Sequence, residues 1–500
     1  MSFNIMGIGV GEGGGRIAMA MVESGANISC INTNRGDLAG LTKIPESKKL
    51  LLEISGGGSG KEPTFVREAM KSPDMRNKVV EFIKRMLDTT PIFTNCSNCN
   101  SKEKLKDTEA VGDMHICSVC GNSFGIIQII HEASVRHDYL YLFACLGGGS
   151  GSGLITEIVS ICHQKFNMPI AVICTLPDDS EDTTTKINAV AVFKELYNTF
   201  AINGIVSPLI LVDNQKMMEL YNHLPIGKMY PTINGSIAGI IDKFNSFSNQ
   251  TSEYMSTIDT MDTARLWSLG GCCAMGKFIV GNSKKAVNST QIVVPHPLDL
   301  DQVEEALQSC NFVDGFDLST AKGIGIIAVG PEHYMQDENV SKCIRYAFGK
   351  AKEIIGDGLV FRGQYTSVDS DCLEFYVFFN GLKYPEARFE RLWNDIKEGK
   401  TISARKRDRV DEVPYDIVVE PGNSNSNFTR MQHTMNAPMI KEEPTYIEKE
   451  EKAIAAVKKV TCNNCYIDPV TKKSMGVYNK RGPVPFTGKI CPVCKGEGKA

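Results

Sequence analysis

The sequence lacks the features that would place a chain in or beyond a membrane. No apolar run approaches the ~18 residues that a membrane-spanning helix needs. The amino terminus, MSFNIMGIGVGEGGG, has no basic segment ahead of an apolar one, so it does not resemble a secretory signal. We therefore predict a cytoplasmic protein without a membrane span.

A charge imbalance is also missing, since 54 Lys and Arg stand against 58 Asp and Glu, for a net charge of −4. The whole chain thus carries no general electrostatic footprint for nucleic acid or acidic membranes, although a local patch is compatible with it. At 42% hydrophobic and 22% charged residues, the composition is that of a soluble globular protein. It excludes a wholly disordered chain, a collagen-like fibre and a coiled coil, and 500 residues predict about three domains.

The order of apolar segments predicts an α/β protein. Short buried strands are predicted at 3–10, 27–33, 139–146, 170–176 and 208–213, with helical patterns between them. Such alternation is typical of a parallel sheet covered by helices on both faces. A helical pattern near 234–249 is followed by a second α/β region, and then by a segment rich in polar and charged residues.

Three glycine-rich loops carry the chemistry. Gly9-x-Gly11-x-x-Gly14 follows the first strand, and residues 147–153 read GGGSGSG after the strand at 139–146. Glycines there let backbone N–H groups approach a phosphate at a helix N-terminus. We expect the second loop to form a concave nest of N–H donors around a polyphosphate, because we expect its five glycines to have no packing use. The third loop, GGGSGKEP at 56–63, is not a Walker A loop.

Two other interpretations of these loops stay open. A glycine-rich turn can join a strand to a helix without any ligand. A nicotinamide-dinucleotide oxidoreductase would require an acidic residue at the end of the second strand, where this chain has Asn34, and it leaves GGGSGSG unexplained.

GGGSGSG resembles the signature GGG[TS]GSG of the tubulin/FtsZ superfamily, and other segments resemble that superfamily in the same order. They are GVGEGGGRIA (9–18, closest to the TubZ branch), INTN (31–34), GGGSGKEPTFVREA (56–69), LPDDSE (176–181), ILVDNQK (210–216), INGSIAGIID (233–242) and, after the central helix, ARLWSLGGCCAMG. The resemblance covers about residues 1–400. It implies a Rossmann-type GTP-binding domain, a central helix and a second α/β domain.

The resemblance also implies roles for single residues toward GTP or GDP. The residues that would line the phosphate and base side are Gly11, Glu12, Gly13 and Arg16, and those that would cradle the phosphates are Gly147, Gly148, Gly149, Ser150, Gly151, Ser152 and Gly153. The residues near the γ-phosphate would be Gly58 and Ser59. Glu181 would contact the ribose, and Asn214 and Asn234 would read guanine. Asn34 stands at another nucleotide-contacting position, where the family usually has Asp.

The catalytic loop of this family matches residues 257–262, which read TIDTMD. Asp259 and Asp262 would enter the nucleotide site of the next subunit and orient water against the γ-phosphate, with Mg²⁺ present. The alternative is structural, with Asp259 as a helix N-cap and Asp262 at the third helical position. Thr257 replaces the usual Asn, and this change together with Asn34 puts the rate of hydrolysis in question more than binding.

Eight cysteines form CxxC pairs that the family pattern does not supply. Cys96, Cys99, Cys117 and Cys120 have the spacing of a four-thiolate zinc ribbon, and Cys462, Cys465, Cys491 and Cys494 form a second such set. Redox dithiols are the rival, but a reducing compartment favours two structural Zn²⁺ sites. Residues 461–500 hold seven basic and two acidic side chains, which suggests a protein or DNA partner for the terminal module.

These observations predict five regions. They are a GTP-binding domain at 1–231 with a zinc-ribbon insert at about 94–124, a central helix at 232–250, the catalytic loop and C-terminal α/β domain at 251–400, a flexible linker at 401–460, and a zinc-ribbon module at 461–500. The resemblance implies a GTPase that forms head-to-tail filaments in the cytoplasm of a prokaryote or of a phage-infected host cell. DNA segregation, phage-genome positioning or cell division would be its task. The alternative is a nucleotide-gated adaptor with little hydrolysis, whose zinc modules recruit partners.

Overall fold

The computed structural model describes residues 3–54, 57–87, 92–105, 111–128, 130–131, 137–248, 256–281, 292–368, 370–411, 465–467 and 474–477, together with 250, 252 and 254. The chain divides into two compact units, Met1–Val413 and Pro414–Ala500. Each unit is described by itself below.

The described part of the first unit contains both strands and helices in alternation. Its strands are β1 (Ile5–Val10), β2 (Asn27–Asn32), β3 (Lys49–Leu51), β4 (Ile92–Asn95), β5 (Lys102–Lys104), β6 (Met114–Ile116), β7 (Ser123–Gly125), β8 (Ile130–His131), β9 (Tyr139–Cys145), β10 (Ile170–Leu176), β11 (Val206–Asp213), β12 (Cys272–Val280), β13 (Ile292–Val294), β14 (Gly323–Gly330), β15 (Leu359–Thr366) and β16 (Leu373–Leu382). Its helices are α1 (Gly11–Ala20), α2 (Arg35–Ala39), α3 (Pro63–Ala69), α4 (Pro73–Leu87), α5 (Gly149–Phe166), α6 (Thr183–Glu195), α7 (Asn214–Leu220), α8 (Ile226–Phe247), α9 (Thr260–Trp267), α10 (Leu300–Ser309), α11 (Glu332–Met335), α12 (Glu338–Ile355) and α13 (Glu386–Asp411).

One continuous sheet of eleven strands runs through this unit, in the order β15-β14-β16-β12-β11-β10-β9-β1-β2-β3, with β13 on β12. The pairs from β11 to β3 are all parallel, as the alternation of strands and helices predicts. The second α/β region does not form a sheet of its own, because β12 pairs with β11 through Leu209–Cys272 and Ile210–Cys273. It is also mixed, since β16 is antiparallel to both β12 and β14.

The sheet has two chemically different edges. The glycine-rich loops follow β1 and β9 directly, and α1 and α5 begin at Gly11 and Gly149. They therefore lie at the carboxyl ends of the parallel strands, where open α/β sheets bind ligands. The opposite edge holds the starts of β1 and β9, where the rings of Phe3 and Tyr139 pack on Trp267 of α9 with centroids 5.4 and 5.3 Å apart.

Two helices extend beyond their predicted bounds. The central helix α8 begins at Ile226 rather than at 232, and it contains Pro231. Proline removes a backbone hydrogen bond and usually marks a helix start, which is why the sequence pattern favours a later one. Helix α13 runs on to Asp411, so residues 401–411 of the predicted linker are helical. Most of the predicted linker, including the short helix expected near residue 455, lies outside the described residues.

The cysteine-containing insert lies between α4 and β9 and forms two small sheets, β5-β4-β8 and β6-β7. Its two ends sit beside the first residue of β2: Asn27 Nδ2 lies 3.2 Å from Met86 O and 3.2 Å from His137 Nε2. The insert is therefore rooted at the amino-terminal edge of the sheet. In the second unit, β17 (Cys465–Ile467) pairs antiparallel with β18 (Ser474–Val477). Cys462, Cys491 and Cys494 lie outside the described residues, as does the side chain of Cys465.

Candidate functional site

The first two glycine-rich loops meet backbone to backbone. Gly11 has φ +73°, which glycine adopts without strain, and a Cβ on it would lie 2.7 Å from the amide nitrogen of Gly151. A side chain at Gly13 would overlap Cys145 Sγ at the end of β9. These contacts hold the starts of α1 and α5 side by side, so that their N-terminal N–H groups lie close together at this edge.

Most glycines of GGGSGSG do have a packing role, contrary to the expectation from the sequence. An added Cβ would overlap a neighbouring residue at four positions: Gly147 with Thr185, Gly149 with Ser59, Gly151 with Cys145 and Gly153 with Val66. The loop is tightly surrounded, and this close packing requires residues without side chains. At Gly148, the N-cap of α5, an added Cβ would instead meet nothing within 4 Å. Gly148 is thus the position of this loop that faces open space.

Hydroxyl groups join three of the loops at this edge. Ser150 Oγ lies 2.6 Å from Thr33 Oγ1 and 3.2 Å from Ser59 Oγ. Thr33 was not among the predicted site residues, although it lies within the INTN segment that resembles the family. Of the other predicted residues here, Gly58 is near Asn34 Nδ2, at 3.5 Å from an added Cβ, and Ser152 Oγ donates to Leu146 O and is buried.

Asn34 has a structural task in addition to its position near the site. Its Oδ1 accepts a hydrogen bond from the amide of Asp37 at 3.1 Å and caps α2. Its Nδ2 donates to Gly57 O at 3.5 Å, which links the second strand to the third glycine-rich loop. Asparagine is as good an N-cap as aspartate, so this replacement keeps the local fold while it removes a negative charge.

Glu12 and Arg16 form an ion pair on the exposed face of α1, with Arg16 Nη2 2.8 Å from Glu12 Oε1 and both side chains 54% exposed. A pair this exposed contributes little to stability. The structure places both at the predicted edge, with the Arg16 guanidinium hydrogen-bonded to Glu12.

The loop after β10 is held by Lys61 of the third glycine-rich loop. Lys61 Nζ lies 2.5 Å from Asp182 Oδ2 and 3.2 Å from Thr185 Oγ1, and the hydrogen bond from Lys61 lowers the pKa of Asp182 to about 2. Asn188 Nδ2 donates to the carbonyl oxygens of Lys61 and Gly147, at 2.9 and 3.2 Å. Three loops are thus tied together beside Glu181. The pKa of Glu181 is raised, first by burial and then by the Asp178 carboxylate.

Tyr230 of α8 has a perturbed hydroxyl that the sequence analysis did not single out. Its pKa is raised by burial and then by the carboxylates of Asp178 and Glu181. Asn234 lies four residues later, on the same face of α8, and is half-buried. Asn214 is the first residue of α7 and is half-buried as well. A helix start at 226 would have shown Tyr230 and Asn234 as an i, i+4 pair.

Asp259 and Asp262 form a reciprocal cap at the start of α9. Asp259 Oδ1 accepts from the amide of Asp262 at 2.8 Å, and the amide of Asp259 donates to Asp262 Oδ2 at 3.3 Å. The structural alternative is therefore present in the molecule. The amide of Ile258, next to Asp259, donates to the Tyr365 hydroxyl at 2.9 Å, and the Tyr365 ring stacks on Phe247 at the end of α8 with centroids 4.9 Å apart. That end of α8 is hydrogen-bonded to Phe3 just before β1, so both aspartates lie at the edge opposite the glycine-rich loops. Within one chain the two sets of residues are not brought together.

The four cysteines of the insert do come together. Their Sγ atoms all lie within 4.8 Å of one another, with Cys96–Cys120 at 3.8 Å and Cys99–Cys117 at 3.6 Å. Tetrahedral zinc with bonds of about 2.3 Å needs sulfur atoms about 3.8 Å apart, so the donor set fits the ion. The amides of Asn98 and Cys120 donate to Cys96 Sγ and Cys117 Sγ, each at 3.4 Å, as in zinc knuckles. His115 Nε2 lies 3.9 Å from Glu103 Oε2.

None of the helices in the described part of the chain combines the length and the apolar character that crossing a bilayer requires. A profile of the Tubulin/FtsZ family, GTPase domain, matches residues 4–222. The tubulin-like protein CetZ of Pyrococcus abyssi is 22% identical over 387 residues, which are 75% of this chain and 84% of that protein. Cell division protein FtsZ 1 of Halobacterium salinarum is 22% identical over 202 residues, 39% of this chain, so the match spans about half (48%) of that relative.

The fold has counterparts among solved structures. A GTPγS-form protofilament of TubZ from Bacillus thuringiensis serovar israelensis superposes with a TM-score of 0.60 at 17% identity, over 81% of this chain and 94% of the TubZ chain. At this identity the superposition shows a shared fold. The chain has the tubulin/FtsZ fold, and its residues 4–222 match the GTPase domain of the Tubulin/FtsZ family.

Proposed function

We propose that the protein binds GTP at the carboxyl edge of its sheet, assembles head to tail into filaments, and hydrolyses GTP where two subunits meet. The observation that carries this proposal is the placement of the loops and of the Asp259–Asp262 pair at opposite edges of one sheet. Strand β1 alone separates these edges by roughly 20 Å, at about 3.3 Å per residue over the six residues of the strand. The aspartates can therefore act on the nucleotide only of another copy, and a head-to-tail contact that does not close produces a filament.

Each side chain has a task in this proposal. The N–H groups of Gly11, Gly13 and residues 147–153 receive the phosphates, Gly58 and Ser59 approach the γ-phosphate, Glu181 binds the ribose, and Asn214 and Asn234 read guanine through amides that donate and accept. Arg16 lies beside the phosphates once it leaves Glu12, and Asn34 borders the cavity. Mg²⁺ bound with GTP neutralises part of the phosphate charge.

Hydrolysis in trans is tested by mixing two inactive variants. Asp262→Asn keeps the loops but lacks a carboxylate, whereas Gly148→Asp keeps the aspartates and places a negative charge where the phosphates bind. Aspartate is a good N-cap and an added Cβ at Gly148 meets nothing within 4 Å, so the second variant is expected to fold. We expect each variant alone to be slow and the mixture to regain phosphate release. No recovery, or a rate per molecule of the parent protein that is independent of its concentration, would refute hydrolysis in trans.

The alternative function is a nucleotide-gated adaptor that binds GTP and hardly hydrolyses it. It is favoured by the engagement of both Asp259 and Asp262 in capping α9, and by Asn34 and Thr257 at positions where the family usually has Asp and Asn. Measurable turnover that Asp262→Asn abolishes would exclude it. Tight GTP binding with turnover unchanged in Asp262→Asn would support it.

We further propose that Cys96, Cys99, Cys117 and Cys120 hold a structural Zn²⁺, and that Cys462, Cys465, Cys491 and Cys494 hold a second one. Elemental analysis of the full chain is expected to give two zinc ions per molecule. The basic terminal module is a candidate for binding protein or DNA, and salt-sensitive DNA binding that is lost on removal of residues 461–500 would support a DNA partner. The task we propose for the filament is cell division, DNA segregation or phage-genome positioning, in the cytoplasm of a prokaryote or of a phage-infected host cell.

A further inference from the structure

Arg388 is the most completely engaged charged side chain that the structure describes near the nucleotide loops. It lies near the start of α13, with its side chain 1% exposed. Its Nε and Nη2 donate to the two carboxylate oxygens of Asp213 at 2.6 and 3.0 Å. Nη2 also donates to Pro177 O at 2.7 Å, and Nη1 donates to Asp179 Oδ1 at 3.1 Å. One guanidinium thus uses its planar arrangement of donors on three groups at once.

These three groups belong to two segments, the loop after β10 and the junction between β11 and α7. Pro177 and Asp179 begin the loop after β10, which continues to Glu181, the residue proposed to bind the ribose. Asp213 ends β11, caps α7 through the amide of Gln215 at 3.2 Å, and directly precedes Asn214, a residue proposed to read guanine. Arg388 therefore connects the loop proposed to bind the ribose to the end of β11, which precedes the residue proposed to read guanine.

Two further contacts show that this junction is built as a unit. The amide of Asp179 donates to Gln215 Oε1 at 3.0 Å, so the two loops also touch directly. Lys186 Nζ donates to Asp179 O and to Asp395 Oδ2 of α13, each at 2.8 Å. Burial raises the pKa of Asp213 while Arg388 opposes the rise, so the buried carboxylate depends on this cation for its compensation.

We propose that Arg388 is a positioning residue for nucleotide binding, which holds the ribose-side loop and the start of α7 at a fixed separation before GTP arrives. Preorganised contacts of this kind spare the nucleotide the cost of ordering the two loops. The inference rests on the proposed function, because it assigns Glu181 and Asn214 to the ribose and base of GTP. It also makes α13, the last described helix before the second unit, part of the support of the nucleotide site.

Arg391 provides a matched control on the same helix. It is 48% exposed and lies 3.9 Å from both Asp179 and Asp213, beyond hydrogen-bond distance. Arg391→Met removes the same charge one turn away and is expected to leave GTP binding nearly unchanged. Arg388→Lys keeps the charge but cannot reach all three acceptors, so its affinity is expected to fall between those of the parent and Arg388→Met.

A second variant guards against simple misfolding, since Arg388→Met alone leaves the buried Asp213 with only the more distant Arg391, at 3.9 Å, as a cationic neighbour. In Arg388→Met/Asp213→Asn both buried charges are gone while asparagine still caps α7, so the fold is expected to persist. Asp179→Ala is gentler still: the Asp179 side chain is 39% exposed, and the substitution removes only its carboxylate ties. The backbone contacts of residue 179 to Gln215 and Lys186 remain.

The experiment measures binding of a fluorescent GTP analogue to the full chain, at concentrations below polymer formation. The double variant is expected to raise Kd roughly tenfold or more, as for lost charge-assisted hydrogen bonds. In the double variant and in Asp179→Ala, the preference for GTP over 2′-deoxy-GTP is expected to shrink. A role of Arg388 in stability alone would leave this preference unchanged. Unchanged Kd and unchanged preference in folded variants would overturn the proposal, whereas a parent protein that binds no GTP would refute the proposed function itself.

Discussion

Asp259 has two proposed roles, in chemistry and in capping α9, and two substitutions separate them. Asparagine keeps the acceptor that receives the Asp262 amide at 2.8 Å but removes the charge, whereas alanine removes both. Loss of an N-cap costs about 0.5–2 kcal/mol, while Asn and Asp are nearly equivalent caps. We therefore expect the free energy of unfolding of Asp259→Asn to lie within about 0.5 kcal/mol of that of the parent protein, and that of Asp259→Ala to be lower by about 1 kcal/mol.

The catalytic role predicts a different pattern in turnover. If the carboxylate orients the attacking water, both variants lose its charge, and phosphate release falls roughly 10²-fold or more in each. The assay measures phosphate release from GTP at a protein concentration where the parent polymerises, with sedimentation to show that each variant still assembles. Urea unfolding of the same samples supplies the stability comparison.

The decisive comparison is Asp259→Asn. Parent-level turnover in this variant, with loss only in Asp259→Ala, would show that Asp259 serves α9 as a cap and nothing more. A fall in turnover that parallels the loss of stability across the two variants would lead to the same conclusion.

Three further predictions follow from the described contacts. Gly148→Asp is expected to abolish GTP binding in a fluorescence titration, while Gly148→Asn, of nearly equal size and without charge, retains most of it; equal loss in both would mean that space rather than charge decides. Cys117→Ser is expected to remove one zinc ion per chain by elemental analysis and to leave GTP affinity unchanged, because the insert is rooted at the far edge of the sheet; unchanged zinc content would contradict the site. The pKa of Glu181 is raised by burial and by Asp178 in the folded state, so the free energy of unfolding falls as the pH rises from the ordinary value of 4.5 through the raised one. Glu181→Gln is expected to flatten this part of the stability profile, to stabilise the nucleotide-free protein at pH 7 and to weaken GTP binding; a profile as steep as that of the parent would refute the assignment.

The sequence predicts local elements well where the pattern is local. Strands β1, β2, β9, β10 and β11 lie on apolar runs that the sequence predicts as strands, whereas β3, the outermost strand of the parallel part of the sheet, was not predicted. The four cysteines of the insert were found because zinc ligands keep a fixed spacing along the chain. The glycine-rich loops were located for the same reason, although the packing of Gly147, Gly149, Gly151 and Gly153 was not foreseen, since it depends on partners remote in sequence.

Long-range contacts were beyond the sequence alone. Arg388 is 175 residues from Asp213 and 209 from Asp179, and no spacing rule connects them. The continuity of the sheet depends on the Leu209–Cys272 and Ile210–Cys273 pairs, between segments that read as separate regions. Tyr230 was missed for a local reason, because it precedes residue 232, where the central helix was predicted to begin.

Helix α8 explains why the two halves of the proposed site lie so far apart in one molecule. Its 22 residues, Ile226–Phe247, span about 33 Å at 1.5 Å per residue, and the helix follows α7, which begins where β11 ends. Asn245 fixes its other end to the start of β1, accepting from the amide of Phe3 at 2.9 Å and donating to Phe3 O at 3.0 Å. The helix therefore runs from the loop edge to the opposite edge, and the chain reaches Asp259 only after it. Under the proposed function, α8 begins on the side that binds the base and leads at its other end to Asp259 and Asp262, so each molecule carries the two halves of the site at opposite ends and a second copy completes it.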